Sequence, residues 1–374
     1  MKTRSAVLYE LGLPRPYADS QPLKIRELEL DPPKRGEILV RIKAAGLCHS
    51  DLSVINGDRP RPTPMALGHE AAGIVEKVGE GVDDLQEGDH VVCVFVPSCG
   101  HCLPCQEGRP ALCENGAKTN LEGTLLSGER RLHEGGSDIH HHLGVSAFSE
   151  YVVMARNSVV KVDRDVPFER LALFGCAVMT GVGAVVNTAK VQMGSTVAVV
   201  GLGGVGLSAL LGAVASGARK IIAIDLNQEK LEFAKQLGAT DVFNAGDEQL
   251  VEKVKAATNG GVEYAFETAG AVPAMDTAFK ITRVGGMTVT TGLPHPTHKF
   301  SFTQVTLTAE ERTLKGSYVG SCVPSRDIPR FIDMYKQGKL PIDKLLSGTI
   351  PLEKINEGFD RLSNGEVNRL VVIP

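Results

Sequence analysis

Hydrophobic positions change their spacing near Leu171. Upstream, within residues 1–150, short Val- and Ile-rich runs such as Ile38–Ile42, Gly73–Val78 and His90–Val94 are cut by glycine and proline, which predicts mostly antiparallel β-structure. Downstream, apolar stretches of strand length alternate with longer ones of helical period. Thr196–Val200 leads into an apolar helix ending near Gly217, Lys220–Asp225 into a helix over Gln228–Leu237, and Asp241–Asn244 into one over Asp247–Ala257. Tyr264–Glu267, a helix near Val272–Ile281 and Gly286–Thr290 continue the alternation. Strand and helix in succession predict an α/β fold with a parallel, doubly wound sheet, because each crossover must pass over a sheet face. Beyond residue 320 the texture is mixed, with a helix near Ile328–Lys336 and a last apolar strand, Arg369–Ile373.

Ser195–Ala218 carries no charged residue and is long enough to cross a bilayer. Four glycines directly after Thr196–Val200 favour strand, turn and buried helix instead. With 43% hydrophobic and 22% charged residues among 374, the composition is that of a soluble globular protein. Forty basic against forty-four acidic residues leave a net charge of -4, so neither nucleic acid nor a membrane surface is an expected partner. Met1–Glu10 shows no secretory pattern, and a cytoplasmic location is the expectation.

In a reducing compartment the eight cysteines read as metal ligands before disulfides. Cys99, Cys102, Cys105 and Cys113 follow C-x2-C-x2-C-x7-C, a spacing that lets four thiolates converge on one structural zinc with no position left open. An iron–sulfur cluster is the competing reading, but its ferredoxin run ends in a shorter gap and a proline, where this chain has Glu114. Unligated cysteines are the third.

Gly201-Leu-Gly203-Gly204-Val205-Gly206 lies between strand and helix, and Asp225 ends the next strand nineteen residues on. Such glycines permit a tight turn and close approach of a pyrophosphate to a helix N-terminus. An acid at that spacing accepts from both ribose hydroxyls and repels a 2′-phosphate, which favours NAD over NADP. The plainer reading of Asp225 is a solvated strand-end carboxylate. Cys48, the pair His69-Glu70 and Cys176 are scattered in sequence. Two thiolates and an imidazole would leave zinc a fourth position for water or substrate, as in a catalytic site.

These motifs, in this order, make the whole chain resemble the zinc-dependent medium-chain alcohol dehydrogenases. The resemblance implies a GroES-like, β-rich catalytic domain over residues 1–177 and 320–374, with a Rossmann NAD-binding domain over 178–319. It implies two zinc ions per chain: a catalytic one on Cys48, His69 and Cys176, with Glu70 behind it, and a structural one on the four clustered cysteines. Asp51 would orient the zinc histidine and Ser50 would take the alcohol proton. The implied activity is reversible NAD-linked oxidation of small alcohols to aldehydes or ketones, by hydride transfer from a zinc-bound alkoxide. Thr180 and Val205 would place the nicotinamide, Lys230 would lie near the adenosine ribose, and Arg369 and His49 would contact the pyrophosphate. Phe95, His142, Leu143, Leu293 and Tyr318 would line the substrate pocket, His142 and Tyr318 being more polar or bulkier than the usual lining. Many family members carry a relay histidine where this chain has Ser53.

Two other functions fit the same motifs. A glutathione-dependent formaldehyde dehydrogenase would use a charged rim, to which Arg59 and Arg61 could contribute. A non-enzymatic binding or structural relative would be expected to have lost a zinc ligand, and none is lost here. The stretch Asn115–Ala147 resembles an insertion of dimeric members, implying a homodimer whose contact runs near Thr313–Val319. In isolation His140–His142 resembles a further metal site, though pocket wall and loop are the preferred reading.

Overall fold

A computed structural model describes residues 1–374. The chain divides into two units. The first comprises Met1–Cys176, Val323–Ile332 and Asp343–Pro374; the second comprises Ala177–Cys322 and Asp333–Ile342.

The first unit is β-rich. Strands Lys2–Leu8, Leu23–Leu30, Leu132–Glu134, Ser137–His141 and Met65–Ala66 close into a barrel. Val7, Leu28, Leu30, Leu132 and Ile139 fill it from alternate positions of the strands. A seven-stranded sheet runs Val159–Val162, His90–Cys93, Glu70–Val78, Glu37–Gly46, Arg369–Ile373 and Leu346–Pro351, with Tyr151–Ala155 also paired to Glu37–Gly46. The stretch Asn115–Ala147, expected as an insertion loop, is built into this unit. It supplies most of the helix Glu114–Glu122 and a hairpin whose turn, Gly135-Gly136, takes positive φ at both residues. Two-residue turns of that kind match the twist of paired strands. The segment therefore contributes to the barrel's closure.

The second unit holds six parallel strands in the spatial order Asp241–Asn244, Lys220–Asp225, Thr196–Val200, Val262–Glu267, Thr282–Thr290 and Thr313–Gly316. That is the doubly wound order, whose direction of growth reverses beside the first strand. Ala198, Val200, Ile222, Ile224, Ala265, Ala278 and Ile281 form a core between strands and covering helices. Ser195–Ala218 resolves into strand Thr196–Val200, a glycine turn and helix Gly204–Ala215. Phe168–Ala189 is the one helix long and apolar enough to cross a membrane, but 89% of its apolar window is buried inside the fold, as in a core helix. Two boundaries shift for local reasons. Asp247 precedes its helix, which spans Leu250–Ala257, because its carboxylate is taken up by the N–H of Gln249 at 2.9 Å. The strand expected at Gly286 begins at Thr282, with a register irregularity that absorbs the glycines Gly285 and Gly286.

Candidate active site

Three elements of the first unit deliver the scattered cysteines and histidine. Cys48 caps helix His49–Ile55 just past strand Glu37–Gly46, His69 precedes strand Glu70–Val78, and Cys176 lies in a widened, π-type stretch, Phe174–Val178. Such turns recur at functional sites because they re-aim one side chain without ending the helix. All three residues are buried, and their ligand atoms lie within 4.8 Å of one another. Zn–S bonds of ~2.3 Å at tetrahedral angles would set two sulfurs about 3.8 Å apart. The Cys48 and Cys176 sulfurs are 3.9 Å apart. Both ring nitrogens of His69 are buried without a hydrogen bond; Nδ1 faces the Asp51 carboxylate as an ion pair, and Nε2 is left with no charged group of its own, which costs stability unless a metal takes it. The three residues therefore fit zinc. The cluster holds no fourth protein ligand.

The surroundings set the protonation of these groups. The Cys176 thiol hydrogen-bonds Cys48 and, with help from His69, holds Cys48 well below the usual thiol range; the same contact and burial push Cys176 up. Burial opposes charge on His69, but Asp51 outweighs it and raises the imidazole. Burial lifts Glu70 to about 7, against the pull of Arg369. Arg369, expected at a pyrophosphate, is buried with Nη1 3.5 Å from Glu70 Oε2 and 3.2 Å from the carbonyl of Leu47. Its Nε is buried and has no hydrogen-bond partner, so these two contacts leave the guanidinium with a donor to spare.

Asp51 sits in the first turn of helix His49–Ile55, with no exposure. Its Oδ2 is 3.1 Å from His69 Nδ1 and its Oδ1 is 3.1 Å from His142 Nδ1. Ser50, one residue earlier, is half-buried, and His49 is exposed. Phe95 meets the His69 ring edge-on at 5.1 Å, and Leu143 is buried after His142. The three histidines His140–His142 share no ligand. His140 faces Arg130, His141 accepts the N–H of Arg131 inside the barrel, and His142 turns to Asp51. Burial drives His141 down to about 3, so it stays neutral. Sequence reasoning missed the His142–Asp51 and Arg369–Glu70 pairs. The parallel pairing of Met65–Ala66 with His140–His141 creates the first, and no local pattern announces it.

The second cluster, Cys99, Cys102, Cys105 and Cys113, also gathers its sulfurs within 4.8 Å, and Cys102 lies 3.9 Å from Cys113. Backbone N–H groups of Cys99 and Gly116 donate to the Cys113 sulfur at 3.2 and 3.3 Å, and that of Cys102 to Cys99 at 3.3 Å. Burial raises Cys99, but the backbone N–H groups of His101 and Cys102 outweigh it and bring the thiol to about 6, while burial pushes Cys105 and Cys113 up. Amides aimed at sulfur favour thiolates, so this cluster too fits zinc, with four ligands and no open position.

In the second unit the glycine turn has the shape that a dinucleotide needs. Gly201 takes φ +95, and a Cβ on Gly206 would fall 1.8 Å from the carbonyl of Gly201, so turn and helix Gly204–Ala215 close only without side chains. A Cβ on Gly203 would meet nothing within 4 Å, which leaves its backbone bare beside the helix N-terminus. Asp225 Oδ2 accepts the N–H of Leu202 at 2.6 Å, and Oδ1 that of Asn227 at 2.9 Å. Lys230 is half-buried in the following helix. Thr180 is buried, Val205 half-buried, and the two come close because Gly181 packs on the Val205 carbonyl. Leu293 and Tyr318 are exposed.

Two family models match the chain: an alcohol dehydrogenase GroES-like domain over residues 34–164 and a zinc-binding dehydrogenase domain over 204–337. An alcohol dehydrogenase zinc-binding domain protein from Burkholderia ambifaria is 34% identical over 100% of this chain and 99% of its own, with a TM-score of 0.94. The benzyl alcohol dehydrogenase of Acinetobacter calcoaceticus is also 34% identical, over 100% and 99% of the two chains, with a TM-score of 0.93. The chain belongs to the zinc-dependent medium-chain alcohol dehydrogenases. As a member it is a zinc-binding oxidoreductase with a GroES-like unit and a Rossmann-type unit. A more distant structure, a zinc-binding dehydrogenase from Sinorhizobium meliloti 1021 bound to NADP, shares the fold at 24% identity over 100% of both chains, with a TM-score of 0.80.

Proposed function

We propose that this medium-chain dehydrogenase oxidises small alcohols reversibly to aldehydes or ketones with NAD, benzylic alcohols being the first class to test. The observation that carries this is the set of three buried ligands, Cys48, His69 and Cys176, with an unpartnered His69 Nε2 and no fourth protein ligand. Zinc, when bound there, supplies Lewis acidity to an alcohol oxygen, and the nicotinamide accepts the hydride. Asp51 orients His69, leaving Nε2 for the metal. Ser50 receives the proton of the alcohol and passes it toward solvent. Phe95, His142 and Leu143 form the wall of the substrate pocket in the first unit. The Phe95 ring and the likeness to a benzyl alcohol dehydrogenase support an aromatic substrate.

Asp225 selects NAD by its charge. In the second unit Thr180 and Val205 hold the nicotinamide and Lys230 serves the ribose; His49 and Arg369 of the first unit are the candidate pyrophosphate contacts. Cys99, Cys102, Cys105 and Cys113 carry a second, structural zinc. The chain works in the cytoplasm as a homodimer, joined near Thr313–Val319, which includes Thr313–Gly316, the edge strand of the parallel sheet. Light scattering reporting a tetramer or a monomer would end that part. The activity is tested by NAD reduction with primary, secondary and benzylic alcohols, before and after chelation, and with formaldehyde with and without glutathione. Chelator-sensitive reduction by benzylic alcohols is expected. Turnover only of formaldehyde with glutathione would replace the proposed activity, and inertness toward the whole panel would remove it.

A further inference from the structure

We propose that His142 is a positioning residue of the metal centre, a second imidazole held on Asp51 that fixes, through that carboxylate, the aim of His69. The inference rests on the reading of Cys48, His69 and Cys176 as a metal site. Three groups surround the Asp51 carboxylate. The N–H of Gly68 donates to Oδ1 at 3.1 Å, His142 Nδ1 stands 3.1 Å from the same oxygen, and His69 Nδ1 stands 3.1 Å from Oδ2. Neither Asp51 nor His69 has any exposure, and His142 has 2%. A carboxylate torsion is broad and roughly two-fold, so one backbone N–H leaves Asp51 free to swing. The second imidazole, 3.1 Å from Oδ1 without an aligned hydrogen bond, restricts that freedom by its contact and by the polarity of its Nδ1. The two rings stand nearly perpendicular, at 88°, with centroids 5.6 Å apart, so His142 also blocks rotation of His69 on one side. A buried carboxylate needs several donors to offset lost hydration, and removing one leaves it free to seek another. His69 would be the partner disturbed.

Two substitutions separate this role from simple packing. His142→Phe keeps a ring and loses the donor. His142→Asn loses the ring but carries an amide N–H where Nδ1 stood. In the full-length, zinc-loaded protein, competition with a chelator reads the affinity of each metal site, and cobalt exchanged into the Cys48–His69–Cys176 site reports ligand geometry by its visible bands. Loss of a partner behind a metal ligand typically weakens binding 10–100-fold. His142→Phe is expected to weaken the catalytic metal by about that factor and to shift the cobalt bands, with the four-cysteine metal unchanged; His142→Asn is expected to stay close to the unaltered protein. The reverse order, or two variants with unchanged affinity and spectrum, overturns the proposal. If Cys176→Ser leaves the metal content as it was, the metal site itself fails, a result distinct from failure of the His142 role.

Discussion

Replacing single glycines of the dinucleotide turn by alanine should separate folding from cofactor binding. Gly203 has φ -74 and ψ -175, an extended conformation open to any residue, and its added Cβ would touch nothing. Gly203→Ala therefore strains nothing in the folded chain; the narrower unfolded ensemble, a gain of about 0.4–1 kcal/mol, is offset by alanine's weaker capping at this helix N-cap, so the urea midpoint should change little. The methyl fills the space through which a pyrophosphate must approach the backbone, and NADH affinity should fall at least tenfold, or by ~1.4 kcal/mol. Gly206 is the opposite case. Its Cβ would sit 1.8 Å from the Gly201 carbonyl and 2.7 Å from Thr268 Oγ1, so the turn has to open. Alanine's helix preference of up to ~1 kcal/mol is outweighed by an overpacking cost of about 1–3 kcal/mol. Urea midpoints followed by circular dichroism and NADH titrations followed by fluorescence read the two quantities independently. Native NADH affinity in Gly203→Ala would show that no dinucleotide crosses that backbone, and a loss as large as that of Gly206→Ala would refute the open-space argument.

The two metal sites should part on mutation. Cys176→Ser should keep one zinc and the fold while losing activity, whereas Cys102→Ser should lower thermal stability; metal analysis finding fewer than two zinc ions in the unaltered chain would sink the pairing. Asp225→Ala should narrow the gap between NAD and NADP and also cost about 1–3 kcal/mol, because the buried N–H of Leu202 loses its acceptor; Asp225→Asn should shift the cofactor ratio with a smaller loss. Equal urea midpoints for Asp225→Ala and the parent would show that the clasp on Leu202 carries no energy. Ser53 donates its hydroxyl to the His49 carbonyl at 2.8 Å and has no group that titrates near neutrality, so buffer bases should accelerate turnover when hydride transfer limits the rate. Ser53→His should remove most of that dependence, and an unchanged buffer response would point to another proton path.

Local and distant information explain which parts of the molecule could be read from sequence. The parallel sheet was legible because each strand and its crossover helix are consecutive, and because Gly201–Gly206 and Asp225 lie on adjoining segments. Boundaries slipped at Asp247 and Thr282, where side-chain capping and a strand irregularity override periodicity. The barrel was less legible. Leu132–Glu134 and Ser137–His141 are short and carry charges, so no alternation stands out, although the Gly135-Gly136 pair was a usable hairpin signal. At the candidate site, ligand types and order were visible, but the destinations of His142 and Arg369 were not. Both are set by strand pairing between segments far apart in sequence.

The pairing of Glu70 with Arg369 also bears on how the chain is made. Cys48, His69, Glu70 and Cys176 are all synthesised before the second unit begins at Ala177, and Arg369 only after that unit reaches Cys322. Until strand Arg369–Ile373 docks beside Glu37–Gly46, the Glu70 carboxylate lacks the cation that it faces in the finished fold. A nascent or truncated chain can thus present every sulfur and nitrogen of the metal cluster while its sheet keeps an open edge. Domains generally fold as units during synthesis, and here an inserted unit separates the two halves of the other. Sealing the metal-bearing unit is therefore a late event in biogenesis, because a translation stop anywhere in the inserted unit leaves the sheet without strand Arg369–Ile373 and Glu70 without its cation.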